Sequence, residues 1–201
     1  MKLTLHGEIF FMADTHFCHD NIIVFNNRPF TSTEEMEDII INNINDVVPK
    51  NGSFIFVGDF SCHANKEKVR ELRNRINCKN IHFVTGNHDK DYTQDHIFTT
   101  VSDRIKLKTD YGLFIVDHYP IVDWDAGHYG SVHLHGHIHS TGEYNEENLH
   151  KKYIDRFPYG HKPKNPDLPL RIYDVGVDAN SYRPVSLYHL AEIFHLPRLH
   201  E

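Results

Sequence analysis

Five short clusters of carboxylate, amide and imidazole side chains each sit at or just past the end of an apolar run. This placement constrains the fold more than any other feature of the chain. The clusters are Asp14-Thr15-His16, Gly58-Asp59, Gly86-Asn87-His88-Asp89, Asp117-His118 and Gly136-His137-Ile138-His139. Ile9-Phe10-Phe11-Met12 reads as a buried strand leading into Asp14. A loop rich in Asn and His follows and closes with Asn27-Arg28-Pro29-Phe30. Ser32 and Glu35 then form a capping box for a helix with apolar face Met36, Ile39, Ile40, Ile44 and Val47. Asn51-Gly52 turns the chain into strand Phe54–Val57, which delivers Gly58-Asp59. A second amphipathic helix carrying Val69, Leu72 and Ile76 leads to strand Ile81–Val84 and the cluster at Gly86. Strand, helix, strand, helix, strand is the order of an α/β fold. Strands joined this way run parallel, so their carboxyl ends gather on one edge, where open α/β sheets bind ligands.

Further on, Ile105–Lys108 and Leu113–Val116 predict a hairpin turning at Asp110-Tyr111-Gly112 and ending at Asp117-His118. A strand near Val132–Leu134 leads into Gly136-His137-Ile138-His139. A last strand, Arg171 to Val177, and a helix begun near Ser186 complete the chain. The segment 140–170 is polar, rich in Pro, Lys, Tyr and His, and has no clear period. It reads as a long solvated loop, or as a flap that brings Lys151, Lys152, Arg156 or Lys162 to an anionic substrate. No repeat or boundary divides the chain, so residues 1–201 are expected to form a single domain.

Charge and cysteine usage exclude several classes. The net charge of -7 argues against non-specific nucleic-acid binding, which needs a basic surface to displace counterions. Cys18, Cys62 and Cys78 are too few and too scattered for a disulfide framework or a cysteine zinc site, so a reducing cytoplasm is expected. The apolar stretch Ile9 to Ala13 is short and ends in Asp14, unlike a signal peptide, and no run is long enough to span a membrane. His6, His82, His96, His150, His189, His195 and His200 have no ligand-like neighbours and are assigned no role.

The clusters combine oxygen and imidazole donors. Such a mixture suits a pair of divalent transition ions better than calcium, which takes oxygen ligands alone. A pair of this kind activates water against a phosphate ester. Asp14 and His16 flank one residue and can reach one ion. Asp59 has two oxygens and can bridge two. Asn87 offers a neutral oxygen and leaves the adjacent His88 free for substrate. His137 and His139 lie on the same side of an extended segment.

In order and spacing, these motifs resemble the calcineurin-like metallophosphoesterases from Phe11 to about Leu187. Asp14 to Phe30, Val175-Gly176-Val177-Asp178 and Arg183-Pro184-Val185-Ser186 look like a small bacterial and phage-associated branch. The resemblance implies a four-layer α/β/β/α sandwich of two facing mixed β-sheets flanked by helices. One ion would take Asp14, His16, Asp59 and His139, the other Asp59, Asn87, His118 and His137. His88 would be the catalytic histidine, with Asp89 orienting it. Mn²⁺ is the expected ion, with Fe, Zn or Ni as alternatives.

The expected substrate is a phosphodiester or a small nucleotide-like phosphate ester. A phosphomonoester, a phosphoprotein or a non-catalytic metal-binding scaffold of the same fold are alternatives. The branch pattern would place glycine where Cys18 stands; a small buried residue there is the bland reading. His19 either faces the substrate phosphate or is a surface histidine. Arg28 either clamps phosphate or shapes its loop. His63 either approaches the site or is structural, Asp178 is expected to join a strand-end hydrogen-bond network, and Asp123 and Asp125 are expected to lie in a solvated loop.

Overall fold

The computed structural model describes residues 1–156 and 158–199, so His200 lies outside the described residues. Two five-stranded mixed sheets face each other. In the first, β2 (Ile9–Met12), β3 (Ser53–Val57), β4 (Asn80–Val84) and β5 (Thr100–Ser102) run parallel, and β10 (Val185–Ser186) pairs antiparallel with β2. The second has the order β1 (Lys2–Thr4), β6 (Arg104–Thr109), β7 (Gly112–Asp117), β8 (Val132–His135), β9 (Ile172–Asp174). It is antiparallel only at the β6–β7 hairpin.

The period of two along each strand sorts the side chains between layers. Ile9, Phe11, Ile55, Val57 and Val84 meet Ile105, Leu107, Phe114, Val116 and Leu134 between the sheets. There the Phe11 and Phe114 rings stack at 6.3 Å. On the outer face of the first sheet Met12, Phe54, Phe56, Ile81 and Phe83 pack under α2 (Thr33–Val47) and α3 (Lys66–Arg75). The outer face of the second is covered by Trp124, Leu170 and Tyr153, the last from α5 (Tyr153–Arg156). Helix α6 (Leu187–Ile193) adds Leu187 and Leu190 to the core between the sheets. The expected architecture of two mixed sheets flanked by helices is therefore present. Among the described residues no helix is long and apolar enough to cross a membrane.

Several elements differ from expectation. On α2, Ser32 does cap the helix by accepting from the Glu35 N–H at 3.1 Å. The Glu35 carboxylate, however, reaches back to the Thr31 N–H at 2.6 Å. The buried face is Met36, Ile40, Ile41 and Ile44, while Ile39 is 38% exposed. The buried face also includes Glu37, whose carboxylate accepts the Cys18 N–H at 3.0 Å. Ile76 caps α3 instead of lying within it. The loop after Asp14 contains α1 (Asp20–Phe25).

The segment 140–170, expected to be a long loop or a flap, is partly helical: it holds α4 (Gly142–Leu149) and α5. Helix α4 has no apolar period because its buried residues are Asn145 and Asn148. The Asn145 amide donates to the Asp174 carbonyl at 2.9 Å and accepts the Asp174 N–H at 2.8 Å. It thus takes the place of a neighbouring strand beside β9, whose outer backbone groups would otherwise be orphaned.

His133 of β8 is fully buried. Its Nδ1 lies 3.0 Å from the Ile115 carbonyl, and its Nε2 accepts the Ile121 N–H at 3.0 Å. The bond accepted at Nε2 requires a neutral ring. Burial, then the neighbouring His135, pushes its pKa down from 6.5 to about 3. A depressed histidine stabilises the fold above its unfolded pKa, and that stability is lost as pH falls from 6.5 toward 3. In urea titrations the stability advantage of the wild type over His133→Gln should therefore shrink by about 2 kcal/mol between pH 7 and pH 4.5. An unchanged gap would refute the account.

Candidate metal centre

The carboxyl ends of β2, β3 and β4 and the ends of β7 and β8 open on one cleft, and each contributes a loop. The loop backbone is unusual. Asp14, His16, Asp59, His137 and His139 have φ of 60°, 50°, 54°, 73° and 46°. Left-handed conformations cost non-glycine residues ~1–2 kcal/mol each, and they persist where the surroundings over-determine them. Two glycines permit the close approach. A Cβ on Gly136 would stand 2.5 Å from Asp14 Oδ2, and one on Gly58 (φ +86°) would overlap the His118 ring.

Asp59 lies at the middle. Its Oδ2 is 3.4 Å from His16 Nε2 and 3.4 Å from His118 Nε2. On one side, His16 Nε2 faces His139 Nε2 at 3.1 Å. On the other, Asn87 Oδ1 is 3.0 Å from His118 Nε2 and 2.9 Å from His137 Nδ1. Asp14 is fully buried and accepts the His137 N–H at 2.9 Å. Donor atoms of Asp14, His16 and His139, and of Asp14, Asp59 and His118, converge within 4.8 Å in each group. The structure thus brings together all seven residues expected to hold metal.

Among the described residues, two of the ring nitrogens turned away from this centre have partners, while the buried His16 Nδ1 has none. His118 Nδ1 is 3.0 Å from the Val57 carbonyl, and His139 Nδ1 is 2.9 Å from Asp178 Oδ2. Such bonds place the proton on Nδ1 and leave Nε2 as a lone-pair donor. His16 and His139 bring two Nε2 atoms to 3.1 Å beside the Asp59 carboxylate, a mixed nitrogen and oxygen donor set that fits a divalent ion. Without a cation, Asp14 and His118 tend to hold protons in its place. Burial pushes Asp14 up to about 7, the His139 and His118 rings only partly opposing it. Burial also acts on Asp59, but His118 and His16 outweigh it and hold its carboxyl well below the usual range. His118 is raised to about 9 because Asp59 and Asp14 overcome its own burial.

His88 and His19 stand at the open side. The His88 ring is 5.1 Å from the His16 ring, and His19 is 5.6 Å from His16 and 6.5 Å from His88. His63 is exposed, with its ring 6.1 Å from that of His19. Tyr119 packs against His118 and His137 at 5.1 and 4.5 Å. Asp123 is not simply solvated, since it accepts from the Tyr153 hydroxyl at 2.7 Å.

Of the two roles weighed for Arg28, the hydrogen bonds favour loop shaping, and the role expected of Asp89 is corrected. Arg28 is buried and its fork is committed: Nε and Nη2 bind Asp178 at 2.9 and 2.8 Å, and Nη1 and Nη2 donate to the carbonyls of Thr15 and Asp14. It shapes its loop and braces His139 through Asp178; it does not clamp phosphate. Asp89 does not orient His88. Its carboxylate accepts the N–H groups of Asp59, Phe60 and Gly86 at 2.7, 3.0 and 2.8 Å. The glycine expected at position 18 has a physical basis, since Cys18 has φ +63°. The sequence reading missed Asn26, which donates to Asp178 at 3.1 Å, and Cys62, whose Sγ is 3.6 Å from His88 Nδ1. Neither carries a motif signal.

Comparison with known proteins places this geometry in a family. An uncharacterized protein of Methanocaldococcus jannaschii, MJ1445, is 32% identical over 182 residues, covering 90% of this chain and 87% of the relative. The crystal structure of AQ665, a protein of unknown function from Aquifex aeolicus, shares the fold with a TM-score of 0.67 at 21% identity. That match covers 94% of this chain and all of the other. The calcineurin-like phosphoesterase family matches residues 7–184, the span that carries every cluster described above. The chain belongs to the calcineurin-like phosphoesterase family.

Proposed function

We propose that the protein is a metal-dependent phosphoesterase that hydrolyses a phosphodiester or a small nucleotide-like phosphate ester. One observation carries the reading: a single oxygen, Asp59 Oδ2, is equidistant from the imidazole nitrogens of two separate ligand groups. That is the arrangement of a bridging ligand. Asp14, His16, Asp59 and His139 would hold one divalent ion, and Asp59, Asn87, His118 and His137 the other. Bound there, such ions lower the pKa of water and polarise phosphoryl oxygens.

The chain's own residues do the rest. Asp59 contributes fixed negative charge between the two groups. Asp178 and the Val57 carbonyl hold His139 and His118 with Nε2 turned to the centre. His88, solvent-exposed at the cleft, is placed to give a proton to the leaving oxygen or to neutralise charge on the phosphoryl group. With the Arg28 fork committed to Asp178, the strongest phosphate-binding cation near the cleft is engaged elsewhere. This supports a monoanionic diester over a dianionic monoester. Phe25 and Tyr119, 69% and 46% exposed, offer apolar contact beside His19 and His137 to an aromatic group of the ester.

With Mn²⁺ added, the protein should hydrolyse an aryl phosphodiester faster than the matching monoester, and a chelator should abolish the reaction. Chelator-resistant turnover, or none with Mn²⁺, Fe²⁺, Zn²⁺ or Ni²⁺, would overturn the proposal. His88→Ala should lower kcat by ~10²–10⁴-fold while retaining metal, as expected for lost general acid help. Asp59→Asn should instead bind fewer ions by metal analysis; two retained ions per chain would count against the bridge.

Metal uptake should also depend on pH. A carboxyl raised to about 7 favours the metal-free fold at low pH, and that contribution is lost as pH rises through 7. A cation needs the ionised form, so affinity should rise over the same interval. Zn²⁺ added to metal-free protein in weak buffer at pH 6.5 should release protons, and Asp14→Asn should release fewer. Equal release would remove Asp14 from the ligand set.

A further inference from the structure

We infer that Cys62 is the positioning residue for His88, its buried thiol donating to Nδ1 and directing the neutral ring's Nε2–H, as a hydrogen-bond donor, to a phosphoryl oxygen of the substrate. The inference rests on the reading of His88 as the group that offsets charge on the phosphoryl oxygens. Among the described residues, the Cys62 thiol is the one hydrogen-bond partner of the His88 ring, with Sγ 3.6 Å from Nδ1. The neighbouring carboxylate expected in that role, Asp89, already accepts three backbone N–H groups. His88 is otherwise held only through its backbone, where its N–H donates to Asp59 Oδ1 at 2.9 Å. An exposed ring attached at one end needs a second point of contact to keep its orientation.

Cys62 is rigid enough to supply that contact. It is 2% exposed, and its N–H donates to the Phe17 carbonyl at 3.0 Å, tying it to the loop that carries His16. Buried as it is, the thiol is held as S–H. A thiol is a poor acceptor, while an unprotonated imidazole nitrogen is a good one, so the proton on sulfur points at Nδ1. The ring proton is then on Nε2. No charge is added to the ring, in contrast to what a carboxylate partner would do.

The test uses the full-length, metal-loaded protein and its Cys62→Ala and Cys62→Ser variants. Ring ¹⁵N NMR, with His88 identified by the signals missing from His88→Asn, should show one tautomer protonated at Nε2 in the wild type. In Cys62→Ala the two tautomers should mix, kcat for the aryl diester should fall by about 10- to 100-fold, as for a misplaced catalytic group, and KM and metal content should stay unchanged. Cys62→Ser, which keeps a donor, should restore both the tautomer and most of kcat. A wild-type ring protonated at Nδ1, or a Cys62→Ala protein with an unaltered tautomer, would overturn the inference whatever happens to kcat. Loss of activity in Cys62→Ser equal to that in Cys62→Ala would also overturn it. If His88→Asn leaves turnover intact, the catalytic reading of His88 fails, and the NMR comparison still decides the Cys62 contact.

Discussion

A carboxylate that touches no expected substrate group holds the cleft together. Asp89 gathers the N–H groups of Asp59, Phe60 and Gly86, joining the loops that follow β3 and β4. These donors lie beyond the ends of the strands, where the sheet offers no acceptor. Left unpaired in a buried place, each would cost ~1–3 kcal/mol. Arg28 does the opposite for the loop after β2: a buried cation donates to the carbonyls of Asp14 and Thr15. An anion therefore ties down amide hydrogens on one side, and a cation ties down carbonyl oxygens on the other. Between them they fix the backbone from which Asp14, His16 and Asp59 project.

This double tie explains how the left-handed residues are tolerated. Five of the seven expected ligands have positive φ, a cluster too costly to arise without compensation. The strain aims neighbouring side chains at a common point that extended strands would not allow, because alternate residues of a strand point to opposite faces. The parallel sheet supplies coarse placement, and the strained loops supply the fine aim.

The layers and the convergence of the candidate ligand residues were readable because both leave local patterns. Apolar runs mark β2, β3 and β4, and donor clusters end them; the order strand-helix-strand then implies a shared edge. Other features are settled by distant contacts and leave no such pattern. Strand β1 exists because it pairs with β6, about a hundred residues away, and β10 because it pairs with β2. Helix α4 buries amides, so hydropathy is silent there. Arg28 and Asp89 carry the chemistry of substrate groups, and only the count of their hydrogen bonds shows that this capacity is already used. Cys62 was dismissed with the other cysteines on number and spacing, since sequence alone does not show which ring a thiol will meet.

The positive dihedrals at Asp14, His16, Asp59, His137 and His139 have a consequence for anyone who would transplant this centre. Copying the same amino acids onto a relaxed scaffold would scatter them, because their aim resides in the main chain and in the buried charges that clamp it. A faithful graft must import Arg28 and Asp89 as well, although neither would ever appear in a coordination diagram.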